Sequence, residues 1–292
     1  MRVLIVGCGY VGLPLGQELV KQGHAVFGLR RSASADDELK TAGITPLRAD
    51  ITKPETLARL PHDFDWVVNC AASGGGGVED YRRLYLEGTG NLIAWLGDSP
   101  PRKYVYTSST SVYGQDDGSL VTESDPATPP TETGRILVET ENLLRTAATE
   151  NNFPAVILRV AGIYGPDRGY WLKQFLNNEA QLESNGERFL NMIHRDDLVG
   201  GIIAALKHGN PGEIYNAADD EPVSQLDFFA WLADQLGKAM PPSAPADPNA
   251  LRKRSATNKR ISNTRLKQVL RFRFKYPTFR QGYGAEIRRL AH

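Results

Sequence analysis

The sequence predicts an α/β protein, a doubly wound parallel sheet with a smaller C-terminal lobe, on three observations. Short apolar runs alternate with helix-length amphipathic stretches through residues 1–165. Several runs, such as Trp66-Val67-Val68, are apolar at successive positions, which suits strands covered by helices on both faces of a sheet. The first run breaks at Gly7 into a glycine-rich turn that opens the first helix. Strands separated by helices in this way require parallel crossovers.

Taken in order, Val3-Leu4-Ile5-Val6 is the first strand, and residues 11–22 form a helix ended by Gly23. Strands are expected over 25–29, 45–47 and 65–70, followed by helical spacing over 79–96. A fifth strand over 103–107, a helix over 134–148 and a sixth strand over 155–160 complete the first part. Beyond Gly165-Pro166 the periodicity lapses, which places residues 166–190 and 237–292 in the smaller lobe. A helix over 196–207, a strand over 214–216 and a helix over 224–236 resume the alternation, so residues 191–236 are expected to complete the core of residues 1–165. The Pro-rich stretch Pro241-Pro242-Ser243-Ala244-Pro245 leads into the C-terminal tail.

The zero net charge conceals an asymmetry. Residues 252–292 carry thirteen Lys or Arg against the single acid Glu286, giving +12 and leaving −12 on the rest of the chain. Apolar Leu266, Val269, Leu270, Phe272 and Phe274 interleave with those charges, so the tail is expected to dock on its own acidic body. An anionic ligand is the alternative, and nucleic acid is not an expected partner. The two cysteines, Cys8 and Cys70, cannot staple a fold of this size and fit a reducing cytoplasm. They end strands that should be neighbours in a 3-2-1-4-5 order, or are simply two small apolar residues in tight turns. No apolar stretch approaches the roughly 20 residues that cross a bilayer. Neither Cys, His nor carboxylates cluster at metal-ligand spacing, so no metal is expected.

Gly7-Cys8-Gly9-Tyr10-Val11-Gly12 follows a strand and precedes a helix, the context in which GxGxxG signifies a Rossmann-type dinucleotide site. Gly7 permits the tight turn, Gly9 lets backbone approach a pyrophosphate, and Gly12 allows the helix to pack closely on the strand. The helix N-terminus adds unpaired N–H donors and partial positive charge. Where an NAD site carries an acid at the end of the second strand, this chain has Gly28-Leu29-Arg30-Arg31-Ser32. Two guanidiniums and a hydroxyl there favour the 2′-phosphate of NADP over NAD; the bland alternative is a solvated strand end.

With these residues in order, the chain resembles the short-chain dehydrogenase/reductase superfamily, in its extended, epimerase/dehydratase-like branch. Ala49-Asp50-Ile51 is similar to that family's adenine-contacting stretch, and Val68-Asn69-Cys70-Ala71-Ala72 to the stretch beneath the cofactor. The run from Tyr106 and Thr107 through Ser108-Ser109-Thr110-Ser111-Val112-Tyr113-Gly114 resembles the active-site strand, with Ser109 at the catalytic serine. Arg159-Val160-Ala161-Gly162-Ile163-Tyr164-Gly165-Pro166, Ile193-His194-Arg195-Asp196-Asp197-Leu198 and Ile214-Tyr215-Asn216 match later landmarks. The resemblance implies cofactor contacts from Asp50, Ile51, Ala71, Ala72 and Thr107, and pairing into a homodimer through the helices at 79–96 and 134–148.

One departure bears on the chemistry. The family's Tyr-x-x-x-Lys is missing: Thr133 occupies the tyrosine position and Leu137 the lysine position. Together with the short glycine loop, this resembles the atypical subgroup. Hydride exchange at a carbinol needs a proton acceptor, and loss of a general acid or base typically costs on the order of 10²–10⁴ in rate. Ser109, Tyr113 and Tyr164 are the catalytic candidates; the two tyrosines are equally packing positions of the fold. Tyr170 could enter from the lobe. His194 titrates in a useful range, near 6.5, although it could simply cap a helix. Arg135 cannot act as a base but could hold a phosphate or carboxylate, so Ser109, Arg135 and His194 are the expected substrate contacts. Ser73-Gly74-Gly75-Gly76-Gly77 reads as a lid or a flexible turn. The asparagine that the family uses near residues 161–162 for nucleotide sugars is missing. The resemblance, with Arg30 and Arg31 at the second strand's end, implies an NADP-binding oxidoreductase or epimerase/dehydratase-like protein acting on a small carbonyl, hydroxyl or sugar-type molecule with a non-standard acid/base. The alternative from another class is a catalytically silent NADP-binding regulator or scaffold.

Overall fold

The computed structural model describes residues 1–75, 77–244 and 257–290. Gly76 of the glycine run, Pro245, and Arg252, Lys253 and Arg254 of the basic tail lie outside the described residues. Seven parallel strands form one sheet: β1 (Arg2–Val6), β2 (Ala25–Arg30), β3 (Thr45–Arg48), β4 (Trp66–Asn69), β5 (Lys103–Ser109), β6 (Ala155–Val160) and β7 (Ile214–Ala217). Their order is β3-β2-β1-β4-β5-β6-β7. The chain builds outward from β1 to β3, then returns to lay β4 on the other side of β1, with Val6 opposite both Leu29 and Asn69. The loops leaving β1 and β4 therefore diverge, and a crevice opens between them at the carboxyl ends of the strands.

Side chains alternate across the sheet with the two-residue period of a strand. Val3 and Ile5 enter one core, with Leu15 and Leu19 of α1 (Gly12–Lys21) and Leu198, Ile202 and Ala205 of α4 (Arg195–His208). Leu4 and Val6 enter the opposite core, with Leu92 and Leu96 of α2 (Gly88–Leu96) and Leu144 and Ala147 of α3 (Glu132–Glu150). Truncating any one of the buried leucines to alanine should cost about 2–5 kcal/mol. Between β4 and α2 the helix beginning at Val78–Tyr81 widens into π-helical turns over Arg82–Glu87, an interruption that the apolar periodicity did not announce.

A separate cluster forms the lobe. Leu172 and Phe175 pack with Phe228, Phe229 and Leu232 of α5 (Gln225–Leu236) and with Phe279 and Tyr283 of α6 (Phe279–Leu290). Helix α5 thus turns its apolar face to the lobe cluster, whereas β7 and α4 lie with the sheet. The tail beyond residue 257 docks on the body: Leu266 and Leu270 are buried in the first sheet core, with Phe272 and Phe274 against it. Its cations meet acids of the body in Arg265–Glu213, Lys267–Asp220, Lys275–Asp196 and Arg280–Glu221. Such part-exposed pairs are each worth at most about 1 kcal/mol, so the buried leucines hold the tail and the charges set its register.

Candidate functional site

The crevice between β1 and β4 is a cleft of about 420 Å³. Gly7 closes the turn after β1 at φ +82°, and a Cβ there would lie 2.5 Å from the backbone N and Cα of Ala71, so the loops after β1 and β4 touch through their main chains. Gly9 differs. A Cβ on it would meet nothing nearer than the Gly7 carbonyl oxygen at 4.0 Å, and Gly9 lines the cleft. Helix α1 starts beside it with Val11 as its N-cap, no side-chain cap and no acid in its first turn. Helices α3, α4 and α5 are each capped by a side chain, from Thr131, His194 and Ser224. The Leu13 N–H is spent on the Gly9 carbonyl at 2.8 Å and Pro14 brings none, but no side chain covers the positive end of α1, and the open glycine beside it leaves room for a pyrophosphate. These residues fit a dinucleotide.

Tyr10, Val11, Arg30, Arg31, Asp50, Ile51, Ala71, Ala72 and Thr107 also line this cleft. Arg30 reaches Glu38 at 3.4 Å, an acid that the strand-end sequence did not bring into view. Asp36 pairs with Arg48, and that guanidinium holds its carboxyl below the usual range. Arg31 is exposed and has no hydrogen bond or ion pair among the described residues. Asp50 accepts two hydrogen bonds from Thr52, at 3.0 Å from N–H and 2.8 Å from the hydroxyl, which fixes its carboxylate at the rim.

Three residues of the sequence-predicted cofactor set do not line the cleft. Cys8 is fully buried behind the loop, where burial pushes its thiol up to about 12. Gly12 is packed, its Cβ position lying 2.7 Å from the Gly7 oxygen. The Ser32 hydroxyl accepts from the N–H of Ser34 and so stops a turn instead of facing the crevice. Cys70 lines the cleft, and burial drives its thiol well above the ordinary range.

A second cleft of about 710 Å³ adjoins the first on the lobe side. Tyr81, Ser109, Val160, Ile163 and Arg168 line both, so the two meet at the carboxyl end of β5. Thr133 lines the second cleft and Leu137 the first, one on each side of the junction. Ser109 accepts from the N–H of Ser111 at 3.1 Å, which leaves its own proton to give. The phenol at the junction is Tyr81, which sequence reasoning missed. It packs on Tyr85 with ring centroids 4.4 Å apart, and burial with the neighbouring Tyr85 pushes its hydroxyl up to about 12. Tyr85 in turn accepts the N–H of Ser73 at 3.1 Å, tying the pair to the start of the glycine run.

The other sequence candidates separate. Tyr164 lines the second cleft, stacked on Tyr283 at 4.1 Å, with a buried hydroxyl that has no partner among the described residues. Tyr170 lines the same cleft from the lobe. Tyr113 lines neither: it is fully buried, donates to Asn216 Oδ1 at 2.8 Å and lies under the Arg159 guanidinium, 4.7 Å from the ring centroid. His194 is also corrected. It is buried, its Nδ1 accepts the Asp196 N–H at 3.1 Å as the cap of α4, and its ring packs on Tyr276 at 4.1 Å. Burial holds its pKa below the ordinary 6.5. Arg135 is exposed and lines neither cleft, its Nη2 donating to the Pro130 carbonyl.

Beneath the junction lies a buried network that the sequence reading left unassigned. Arg159 donates to both oxygens of Glu141, at 2.6 Å from Nη2 and 3.1 Å from Nε, and the Ser108 hydroxyl donates to Glu141 at 2.6 Å. Both ionic side chains are almost wholly buried, at 5% and 2% exposure, so the pair is structural and stiffens β5 against β6 and α3 under Ser109.

Comparison with known proteins agrees with this geometry. The model of the NAD dependent epimerase/dehydratase family matches residues 3–218. Protein YeeZ of Escherichia coli (strain K12) is 30% identical over 285 residues, covering 94% of this chain and 96% of that protein. A functionally unknown conserved protein from Silicibacter pomeroyi DSS superposes with a TM-score of 0.80 at 29% identity, over 99% of this chain and 98% of that one. The UDP-glucuronic acid 4-epimerase of Bacillus cereus, solved in complex with NAD, shares the fold with a TM-score of 0.81 at 22% identity over the whole of both chains.

Proposed function

The chain belongs to the NAD dependent epimerase/dehydratase family, and from that premise we propose that it is an NADP-preferring cytoplasmic oxidoreductase or epimerase/dehydratase that acts on a small carbonyl or hydroxyl compound with a substituted acid. The observation that carries this reading is the meeting of two clefts at Ser109 and Tyr81, one ending in the uncapped α1 terminus and the other opening on the lobe. Gly7, Gly9 and the first turn of α1 would hold the pyrophosphate, Asp50 and Ile51 the adenosine, and Arg30 with Arg31 a 2′-phosphate. NADP(H), when bound, supplies or accepts a hydride at its nicotinamide. Ser109 donates a hydrogen bond to the reacting oxygen of the substrate, and Tyr81 holds a proton on its phenolic oxygen beside it. Leu137 keeps water from the place a lysine would occupy.

The test is a titration of cofactor-stripped protein with NADPH and NADH, followed by transfer of deuterium from the 4-position of labelled NADPH to a panel of ketones and aldehydes. Tighter NADPH binding and label in a product support the reading. Failure of either nucleotide to bind removes it. Binding of NADPH with no label transferred to any carbonyl favours a second reading, a silent NADP-responsive regulator, which Thr133 and Leu137 support by bringing no ionisable group to the junction.

A further inference from the structure

The lobe-side cleft contains a charge arrangement that packing does not explain. Lys259 lines it at only 6% exposure, with Nζ donating to the Tyr113 carbonyl at 3.0 Å and the Thr257 hydroxyl at 2.8 Å. Both acceptors are neutral, and among the described residues no carboxylate pairs with this ammonium. Its charged neighbour is another cation, Arg188, also in the lining, and burial together with that arginine lowers the lysine to about 8. Arg188 spends one end of its guanidinium on Glu183, at 3.1 Å from Nη1, while its Nε is buried with no partner among the described residues. Burying a cation without an anion costs several kcal/mol unless something supplies the opposite charge.

The two cations are held in place by hydrogen bonds between their own segments along the cleft wall. The Asn191 side chain donates to the Lys259 carbonyl at 2.8 Å and accepts the Ile261 N–H at 2.8 Å. Asn258 accepts the Phe189 N–H at 2.9 Å. Segments 188–191 and 258–261 are thereby clamped side by side, presenting Arg188 and Lys259 together. Lys259 also hangs from the Tyr113 carbonyl, immediately after the Ser109–Val112 turn, so the charged floor is tied to the strand that carries the reacting centre.

We propose that this cleft takes a substrate bearing a compact oxyanion, a carboxylate or a phosphate ester, which is seated against Lys259 Nζ and Arg188 Nε while the rest of the molecule reaches Ser109. This rests on the cofactor reading above for the word substrate, but the anion site itself stands on the lobe side and is measured independently. The ammonium supplies a point charge and the guanidinium a directional N–H, a combination suited to an oxyanion with two or more oxygens.

The experiment uses the full chain with NADPH present. Inorganic phosphate and acetate are titrated separately by calorimetry into wild type, Lys259→Met, Lys259→Arg and Arg188→Met, and NADPH affinity is measured in the same samples. Millimolar or tighter anion binding is expected in wild type, weakened at least tenfold by either methionine and less by Lys259→Arg, with NADPH affinity unchanged. Phosphate bound better than acetate assigns a phosphate ester; the reverse assigns a carboxylate. In parallel, wild type is pulsed with acetic anhydride and read by mass spectrometry, which needs no variant to fold. Phosphate or acetate should slow acetylation of Lys259 and leave exposed Lys21 unchanged. No anion binding in wild type, equal binding in the methionine variants, or no protection of Lys259 overturns the proposal. Loss of NADPH binding with the anion result intact would instead strike only the cofactor reading.

Discussion

Gly7 and Gly9 sit two residues apart in the same loop, yet alanine should act on different quantities at each. At Gly7 the backbone has φ +82°, and the added methyl would lie 2.5 Å from the Ala71 main chain, which cannot rotate away. The left-handed conformation alone costs about 1–2 kcal/mol for an L side chain. With the clash, Gly7→Ala should lose at least about 3 kcal/mol of stability by the scale of severe core changes. At Gly9 the methyl meets only the Gly7 oxygen at 4.0 Å, and φ is not positive, so the fold should be unchanged or gain up to about 1 kcal/mol from a stiffer unfolded chain. That methyl instead enters the cleft where the pyrophosphate is proposed to approach the backbone. Losing even one such approach at 1.4 kcal/mol weakens binding tenfold, and steric exclusion should exceed this. Urea denaturation and NADPH titration on the two variants separate the effects. A Gly9→Ala protein of wild-type stability that binds NADPH as tightly as wild type would refute the cofactor assignment of this loop.

Arg31→Asp should weaken NADPH about 10–100-fold relative to NADH, as expected for loss of a charge-assisted contact; equal loss for both nucleotides in parallel titrations would remove the 2′-phosphate role. Glu141→Leu leaves Arg159 buried and unpaired and should cost about 3–5 kcal/mol in chemical denaturation. Glu141→Leu with Arg159→Met should recover much of that loss, and a double variant no better than the single one contradicts a structural pair. Because burial lowers His194 below 6.5, the unfolded chain takes up a proton there before the folded one does. Its contribution is therefore fully present above about pH 6.5 and is lost as pH falls toward the folded value, with a slope of at most about 1.4 kcal/mol per unit. His194→Asn, which can still cap α4, should flatten the melting-temperature profile between pH 6.5 and 5; an unchanged profile would mean the ring is protonated in the fold.

Local causes made much of this readable. A strand that breaks into glycines and the helix that follows are contiguous in the chain, so the crevice could be placed from residues 3–22. Strand order followed because parallel crossovers leave few topologies. His194 misled because its motif describes a position and not a direction: β-conformation at the cap turns the ring inward under Tyr276. Arg135 misled in the same way, since one helical residue separates a face that lines the cleft from one that meets water. Glu141 and Arg159 gave a signal that was open to use, a charged residue in each of two apolar segments, but a separation of 18 positions hides that they pair. Tyr81 and the Arg188–Lys259 pair gave no local sign, because the π-helical turns and the asparagine clamps that set them are tertiary.

The junction itself argues for a preferred direction of reaction. A phenol works as a base near neutral pH only when a cation lowers its pKa, and the Leu137 side chain that lines this cleft brings no charge. Tyr81, pushed up to about 12 by burial and Tyr85, keeps its proton at neutral pH. Taking a proton from an alcohol is thus severely limited, whereas giving one to an oxygen that gains negative charge is not, since nearly every Tyr81 carries its proton. Reduction of a carbonyl should therefore proceed with little pH dependence from 6 to 9, and oxidation of the corresponding alcohol should rise about tenfold per unit over the same range. Tyr81→Phe should slow reduction by about 10²-fold or more while leaving NADPH affinity within a factor of three, because the ring that packs on Tyr85 remains. Equal rates for the variant and wild type would take Tyr81 out of the chemistry and return the proton to Ser109 or to water. A flat oxidation profile with a slow variant would keep Tyr81 but mean that the bound cofactor's own positive charge lowers the phenol.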